Sequence, residues 1–443
     1  MSWLRFRTPV FPAVAALLAL GCGSQEEPAA APTAMQSNKP PGAEHPMPPE
    51  LPPTPADLDQ AIVLSLAQFV EEGGKPVPGP ARMEFLYRQG GEWKVAFHED
   101  ADSNVFHKVM AWPSLDADDA RLLSMAGTKA IVKTWTRDGD GLTGTTHWEQ
   151  DFGGKFSRMR DAEIADLYGD GQPTVAVATH DQGIVAVLKP TDDGFEVEQL
   201  DAKPDTFVHE IEIGDVNGDG VLEVYATPSE PNRLDGSPQS GEVVRYVPGA
   251  SGEAAARAVV ADLGDRHAKE ILVADVDGDG TDELYVSVEG HSENKQLVDP
   301  VEIRRYEADT PADGGAVIGT LNDRLSRFLT AGDVDGDGKQ ELVAAAFSSG
   351  VWLYRPGDDP NAAWDAELVD RDSAVFEHAA ILADLDGDGK DELYVASDRH
   401  KEVRRYVWDG TRLVREVIYT RPDDRPIFTW NLMPVPVGLV PGA

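Results

Sequence analysis

Four stretches of the chain crowd carboxylates into glycine-punctuated loops: GDVNGDGVLEVYA, ADVDGDGTDELYV, GDVDGDGKQELVAAAF and ADLDGDGKDELYV. Their shared pattern is D-x-[DN]-x-D-G-x-x-E. Such spacing suits a hard divalent cation, which gathers about six to eight oxygens at roughly 2.3–2.6 Å. Positions 1, 3 and 5 send side-chain oxygens inward from one tight turn. Glycine at position 6 permits the turn, and position 7 offers its carbonyl. An acid at position 9 adds oxygens from the start of the next strand. The candidate ligands are Asp215, Asn217, Asp219 and Glu223; Asp275, Asp277, Asp279 and Glu283; Asp333, Asp335, Asp337 and Glu341; and Asp384, Asp386, Asp388 and Glu392. In the third loop the position 7 carbonyl belongs to Lys339. Calcium fits better than magnesium, which keeps its waters and demands strict octahedral geometry, so about four structural Ca²⁺ sites are expected. A helix–loop–helix calcium site needs Glu at position 12. This chain has Ala226, Val286, Ala344 and Val395 there, each followed by strand-like sequence.

The loops recur, and a fixed period decides the fold. Their first positions are Asp215, Asp275, Asp333 and Asp384, with weaker copies starting at Asp166 and Ser114. The Asp166 copy has Tyr168 and Thr174 at positions 3 and 9; the Ser114 copy has Asp116 and Asp118 but Leu122 at position 9. Weak or absent metal binding is expected at both. Each loop follows a short apolar segment such as KEILVA and precedes a β-forming run such as ELYVSV. A third segment follows (EVVRYV, VEIRRYE, EVRRYVW), then a more variable fourth. Four short strands per repeat, with almost no helix, predict an all-β propeller. RMEFLYRQGGEWKVAFHE, residues 82–99, reads as strands three and four of a further unit, and PIFTWNLMPVPVGLV at the C-terminus can supply its first half. That gives seven blades over residues 81–443, closed between the two ends of the chain. Six blades is the alternative, with the terminal segments decorating the rim. The recurring pairs Arg245-Tyr246, Arg305-Tyr306 and Arg405-Tyr406 read as blade packing.

These repeats resemble the FG-GAP or VCBS repeats of integrin-α-type propellers and many bacterial surface proteins, over about residues 100–400. The resemblance implies loops between the first and second strands of each blade, on the lower face of the disc, holding Ca²⁺ structurally. Some propellers with similar loops belong to polysaccharide lyases and sugar dehydratases.

Six residues before each loop start stand Lys108, Arg160, His209, Lys269, Arg327 and His378, all basic types in an acidic chain. First strands line the channel of a propeller, and six residues of strand span about 20 Å. The column therefore lies at the end opposite the loops, in step with apolar positions such as Ile211 and Ile213. One reading is a cationic funnel for an anionic ligand: a uronate-containing glycan, a phosphate ester or an acidic protein segment. The other is structural, with each basic group paired to a neighbouring blade's carboxylate. A transition-metal site at His209 and His378 has no Cys or carboxylate cluster to support it.

The net charge of −39 implies no nucleic-acid-binding surface, since phosphate backbones want the opposite sign. Residues 1–22 combine Arg5 and Arg7, a short apolar core and Cys22, the only cysteine. They resemble a lipoprotein signal peptide, although Ala19 and Leu20 depart from the usual lipobox. The resemblance implies lipidation at Cys22 and a place in a bacterial envelope; an ordinary secretory signal is the alternative. Residues 23–55, rich in Pro and Ala, read as an extended tether. Within 56–80, TPADLDQAIVLSLAQFVEEGG reads as a helix, with Thr54 as cap, Gly73 as stop and a stripe of Leu58, Ile62, Leu66 and Phe69. No G-x-S-x-G, HExxH or phosphate loop is present. The expected role is a calcium-stabilised, membrane-tethered binding module for a protein or anionic glycan. The alternative is a lyase or dehydratase-like enzyme on acidic carbohydrate, drawing base and cation from the basic column.

Overall fold

The structure, a computed structural model, describes residues 51–73, 75–127, 129–153, 157–192, 194–231, 238–250, 257–293, 296–373, 379–422 and 426–443. Cys22, residues 1–50 and His378 lie outside the described residues. The described chain is almost entirely strand, with short 3₁₀ turns at Asp398–His400 and Val437–Leu439. None of its helices is long and apolar enough to cross a membrane.

Seven antiparallel sheets form a seven-bladed propeller. Their innermost strands are Phe106–Trp112, Met159–Ala165, Phe207–Gly214, Ala268–Ala274, Ser326–Gly332, Ala380–Ala383 and Ile427–Pro436, in blades one to seven. Each inner strand packs against the next, and the C-terminal one touches both the sixth and the first. The ring is thereby closed.

The helix expected after Thr54 is instead a strand, Gln60–Glu72. It pairs on one side with Ile427–Pro436 and on the other with Ala81–Gln89, which pairs with Glu92–Asp100. The C-terminus thus supplies only the first strand of the seventh blade, and the N-terminal region supplies the other three. The propeller begins near residue 60, not 81. The physical reason is burial on two faces. Ala61 and Val63 join the core shared with the first blade, while Ile62, Leu64 and Leu66 join the core shared with the sixth. A strand sandwiched between sheets is apolar at every position, and such a run contains a helical stripe by default.

Each pair of adjacent blades shares one apolar core, the second strands being buried along most of their length. This stack fixes where each inner strand starts and ends. One end of it meets the acidic loop; the other meets the channel mouth.

Candidate functional site

The acidic loops connect first and second strands, as the repeat pattern requires. The residue before each loop pairs with position 9: Gly214 with Glu223, Ala274 with Glu283, Gly332 with Glu341 and Ala383 with Glu392. The position 1 carboxylate folds the turn by accepting backbone N–H groups from positions 5 and 6. For Asp333 the donors are Asp337 at 3.2 Å and Gly338 at 2.8 Å; for Asp275 they are Asp279 and Gly280, both at 3.0 Å. Glycines at positions 4 and 6 take positive φ, +75° and +94° at Gly278 and Gly280, which explains their recurrence.

Three loops bring carboxylate oxygens within 4.8 Å of one another: Asp275, Asp277, Asp279 and Glu283; Asp333, Asp335 and Glu341; and Asp384, Asp386 and Asp388. These clusters could hold metal ions. In the Asp215 loop position 3 is Asn217, which turns its amide nitrogen to Glu223 at 2.5 Å and accepts Asp219 N–H at 2.9 Å through its oxygen. The Asp166 loop makes the same turn, with Gly171 N–H on Asp166 at 2.7 Å. Its position 3 residue, Tyr168, lies under Lys189 Nζ at 3.2 Å from the ring centroid.

The recurring Arg-Tyr pairs are structural, and the loops explain them. Arg305 binds Asp277 at 2.6 Å and Glu283 at 3.0 Å; Arg405 binds Asp386 at 2.8 Å and Glu392 at 2.5 Å; Arg245 binds Glu223 at 3.0 Å. The tyrosine following the arginine reaches the preceding blade: Tyr246 donates to Asp201 at 2.6 Å and Tyr406 to Asp370 at 2.7 Å. A second tyrosine, two residues past position 9, donates to the glutamate, as from Tyr285 to Glu283 at 2.8 Å. Burial pushes Glu283, Glu341 and Glu392 up to about 7.

At the opposite end, the inner strands carry β-bulges, and these place the basic residues. Pairing passes over Arg160, over His209 with Glu210, over Lys269 and over Arg327. A bulged residue leaves the two-face alternation of its strand. Ile211 therefore packs between blades with Val185 and Val224, out of step with the column. In the first blade the skipped residue is His107, not Lys108. There Trp112 pairs with Arg121, so the structural loop start is Pro113, one residue before Ser114. Lys108 points away from the mouth, to Asp161 at 3.1 Å and to Glu163.

Arg160, His209 and Arg327 meet around one narrow pocket, together with His107, Arg158, His180 and Trp430. Trp430, from the C-terminal strand, stacks edge-on with His107 at 4.9 Å and lies under Arg160 at 4.9 Å. His180 and His209 lie 4.8 Å apart. Burial, assisted by nearby arginines and histidines, holds His107 and His209 well below the usual imidazole range and His180 at about 4. At pH 7 these rings are neutral and the arginines carry the charge. Lys269 borders a neighbouring pocket beside His267 and Glu289. The repeat offset pointed to Arg160, His209, Lys269 and Arg327. It missed His107, Arg158, His180 and Trp430, which stand on bulges or in loops outside the period.

Below the mouth the channel turns acidic. Asp161 accepts Ile211 N–H at 3.1 Å and Glu270 accepts Leu329 N–H at 3.1 Å, each tying one inner strand to the next. Burial, with neighbouring carboxylates, pushes Glu210 and Glu212 well above the usual range and Glu270 up to about 8.

The FG-GAP-like repeat family matches residues 333–395, from the fifth loop into the second strand of the sixth blade. No curated protein sequence matches the chain. Among solved structures, a protein from Lactobacillus plantarum aligns with a TM-score of 0.51 at 11% identity, over 85% of this chain and 99% of its own. A provisionally named 6-phosphogluconolactonase from Bacteroides fragilis gives 0.47 at 15% identity, over 87% and 100%. At 11% identity the Lactobacillus plantarum structure speaks to the fold alone. The described chain is thus a seven-bladed β-propeller in which residues 333–395 are similar to the FG-GAP-like repeat.

Proposed function

We infer that this protein is an extracytoplasmic binding module that seats an anionic ligand at the mouth of its channel. Calcium in the acidic loops stiffens the disc. Lipidated Cys22 and the Pro-rich tether hold it to a bacterial envelope membrane. The observation that carries the reading is the convergence of Arg158, Arg160 and Arg327 with Trp430 around one pocket, in a chain of net charge −39. Arg158 is held bidentately by Asp181 at 2.6 and 2.7 Å, so the charge set against the field of the whole molecule is that of Arg160 and Arg327, and planar guanidinium suits carboxylate or phosphate. Titration with hexameric oligogalacturonate and with polyglutamate of equal charge tests the reading. Arg327→Ala and Lys269→Ala should each weaken at least one of these probes by about tenfold or more, the value of a lost charge-assisted hydrogen bond. Unchanged affinity for both probes in both variants overturns it.

A further inference from the structure

One carboxyl at the mouth is placed where it can act on an anion only from a distance. Glu289 follows the second strand of blade four, Glu283–Val288. Its N–H donates to His267 O at 2.8 Å, and Gly290 N–H donates to Arg324 O at 2.8 Å. These bonds fasten it between the entries to the inner strands of blades four and five. The side chain is 1% exposed, and neither carboxylate oxygen has a hydrogen-bond partner among the described residues. Its oxygens are covered by protein, so what this carboxyl offers a ligand is its charge.

The charged groups around it come from three directions. Asp265, Arg266, His267 and Lys269, in blade four's inner strand and the turn before it, line a small pocket with Glu289. Asp323, Arg324 and Arg327 act on it from the side of blade five. His291 follows in the chain, its Nδ1 3.3 Å from Asp299. Several of these are engaged elsewhere. Arg266 pairs with Glu302 at 3.0 Å, and Asp323 accepts the N–H groups of Ser348 and Ser349 at 2.5 and 2.7 Å. Burial and then Lys269 hold His267 well below the usual imidazole range. The cations that oppose burial at Glu289 are Lys269, Arg327 and Arg324. Burial without donors favours the neutral acid and three cations favour the carboxylate, which leaves this carboxyl at about 7. Arg327 also lines the arginine pocket beside Arg160 and Trp430, and the charge of Lys269 is felt at His209 in that same pocket. We propose that Glu289 is an acid-operated regulator of the anion seat: its carboxylate sets a negative charge against Lys269 and Arg327 and weakens anion binding, and its protonation removes that opposition. This rests on the anion-seat reading and adds its regulation.

The test is calorimetric titration of the full chain at pH 6.0, 7.0 and 8.5 with hexameric oligogalacturonate and with polyglutamate, whose carboxylates stay ionised across that range. The mouth histidines stay neutral there. Glu270, at about 8, titrates as well, so the comparison of wild type with Glu289→Gln isolates Glu289. One unit charge across the width of a pocket changes an anion's affinity about fivefold or more. Glu289→Gln should therefore match the wild type at pH 6.0 and bind about fivefold tighter at pH 8.5. By linkage, anion binding raises the cost of the carboxylate, so the protein takes up a proton from solvent. At pH 7.0, titrations in buffers of different ionisation heat should read an uptake of about 0.3 proton or more in the wild type, reduced by about that amount in Glu289→Gln. Affinity of Glu289→Gln equal to or weaker than wild type at pH 8.5, or the same uptake in both proteins, overturns the regulator and leaves the seat standing. Binding without any proton uptake in the wild type overturns it with no variant needed. Failure of both polyanions to bind the wild type at every pH removes the seat and its regulator together.

Discussion

At the scale of single residues, the mouth holds its charge in arginine and keeps its histidines neutral, and the two respond to acid differently. His180 is pushed down to about 4 by burial first, with Arg158 and Arg160 adding to it and Asp181 opposing. In an unfolded chain imidazole titrates near 6.5. Between those values the unfolded chain takes a proton that the native protein declines, so native stability falls as pH falls. At pH 5 the loss from this residue approaches about 2 kcal/mol. Glu289 and Glu270 act oppositely. Their folded carboxyls, at about 7 and about 8, take protons before unfolded glutamate does near 4.5 and so add stability over the same descent. A wild-type curve mixes the two signs, so the informative quantity is a difference. The stability advantage of wild type over His180→Gln should shrink by about 2 kcal/mol between pH 7 and pH 5, as read by urea unfolding. A constant difference would mean that His180 titrates in the native protein as it does in the unfolded chain.

At the scale of elements, closure depends on Gln60–Glu72. It lies between the C-terminal strand and Ala81–Gln89, and it faces two cores at once. Leu64 is fully buried. Leu64→Ala should cost about 2–5 kcal/mol in denaturant unfolding, the range for deleting a core leucine. A helix packed on the rim would lose much less, so a change under about 1 kcal/mol would contradict the strand's central place. This element also marks where the sequence stopped being legible. The four full loops and their following strands were readable because each obeys a period and a local turn chemistry. The N-terminal strand obeys neither: its first neighbour in space lies at the other end of the chain, and its unbroken apolar run satisfies helical and strand templates alike. The basic column was readable to within one residue in blades one to five. It failed at Lys108 because the first blade's loop start is shifted by one, and a shift of one moves a side chain from the mouth to the acidic waist. Parity reasoning failed at Ile211 because a bulge, which depends on the partner strand, resets the alternation. Glu289, His107, His180 and Trp430 carry no periodic signal; only the fold brings them to the mouth.

At the scale of the whole molecule, the issue is how a chain of net charge −39 tolerates loops that bring carboxylates within 4.8 Å of one another. Buried arginines answer part of it: Arg305 and Arg405, each 1% exposed, neutralise the acids at positions 3 and 9. Positions 1 and 5 meet mainly backbone N–H groups, with Lys390 Nζ 3.7 Å from Asp388. A divalent cation there would relieve repulsion within each loop and lower the field of the disc. These two effects separate experimentally. General relief comes from screening, and sodium chloride at 0.5 M supplies it, with a Debye length of about 4 Å. Relief by a built site comes from coordination, persists in that salt and prefers calcium to magnesium. Calcium at about a hundredfold excess over its dissociation constant should add about 2.7 kcal/mol for each occupied loop. The expected outcome is a rise in melting temperature with calcium that survives 0.5 M sodium chloride and is reversed by chelator. Asp277→Asn and Asp335→Asn should each remove one increment of that rise. Asp219→Asn should remove less, because position 3 of its loop is the uncharged Asn217. If sodium chloride alone reproduced the calcium effect, or if all three variants kept the full rise, the loops would be turns built from carboxylates and glycine. The rigidity of the disc would then rest on its seven inter-blade cores and its buried arginines.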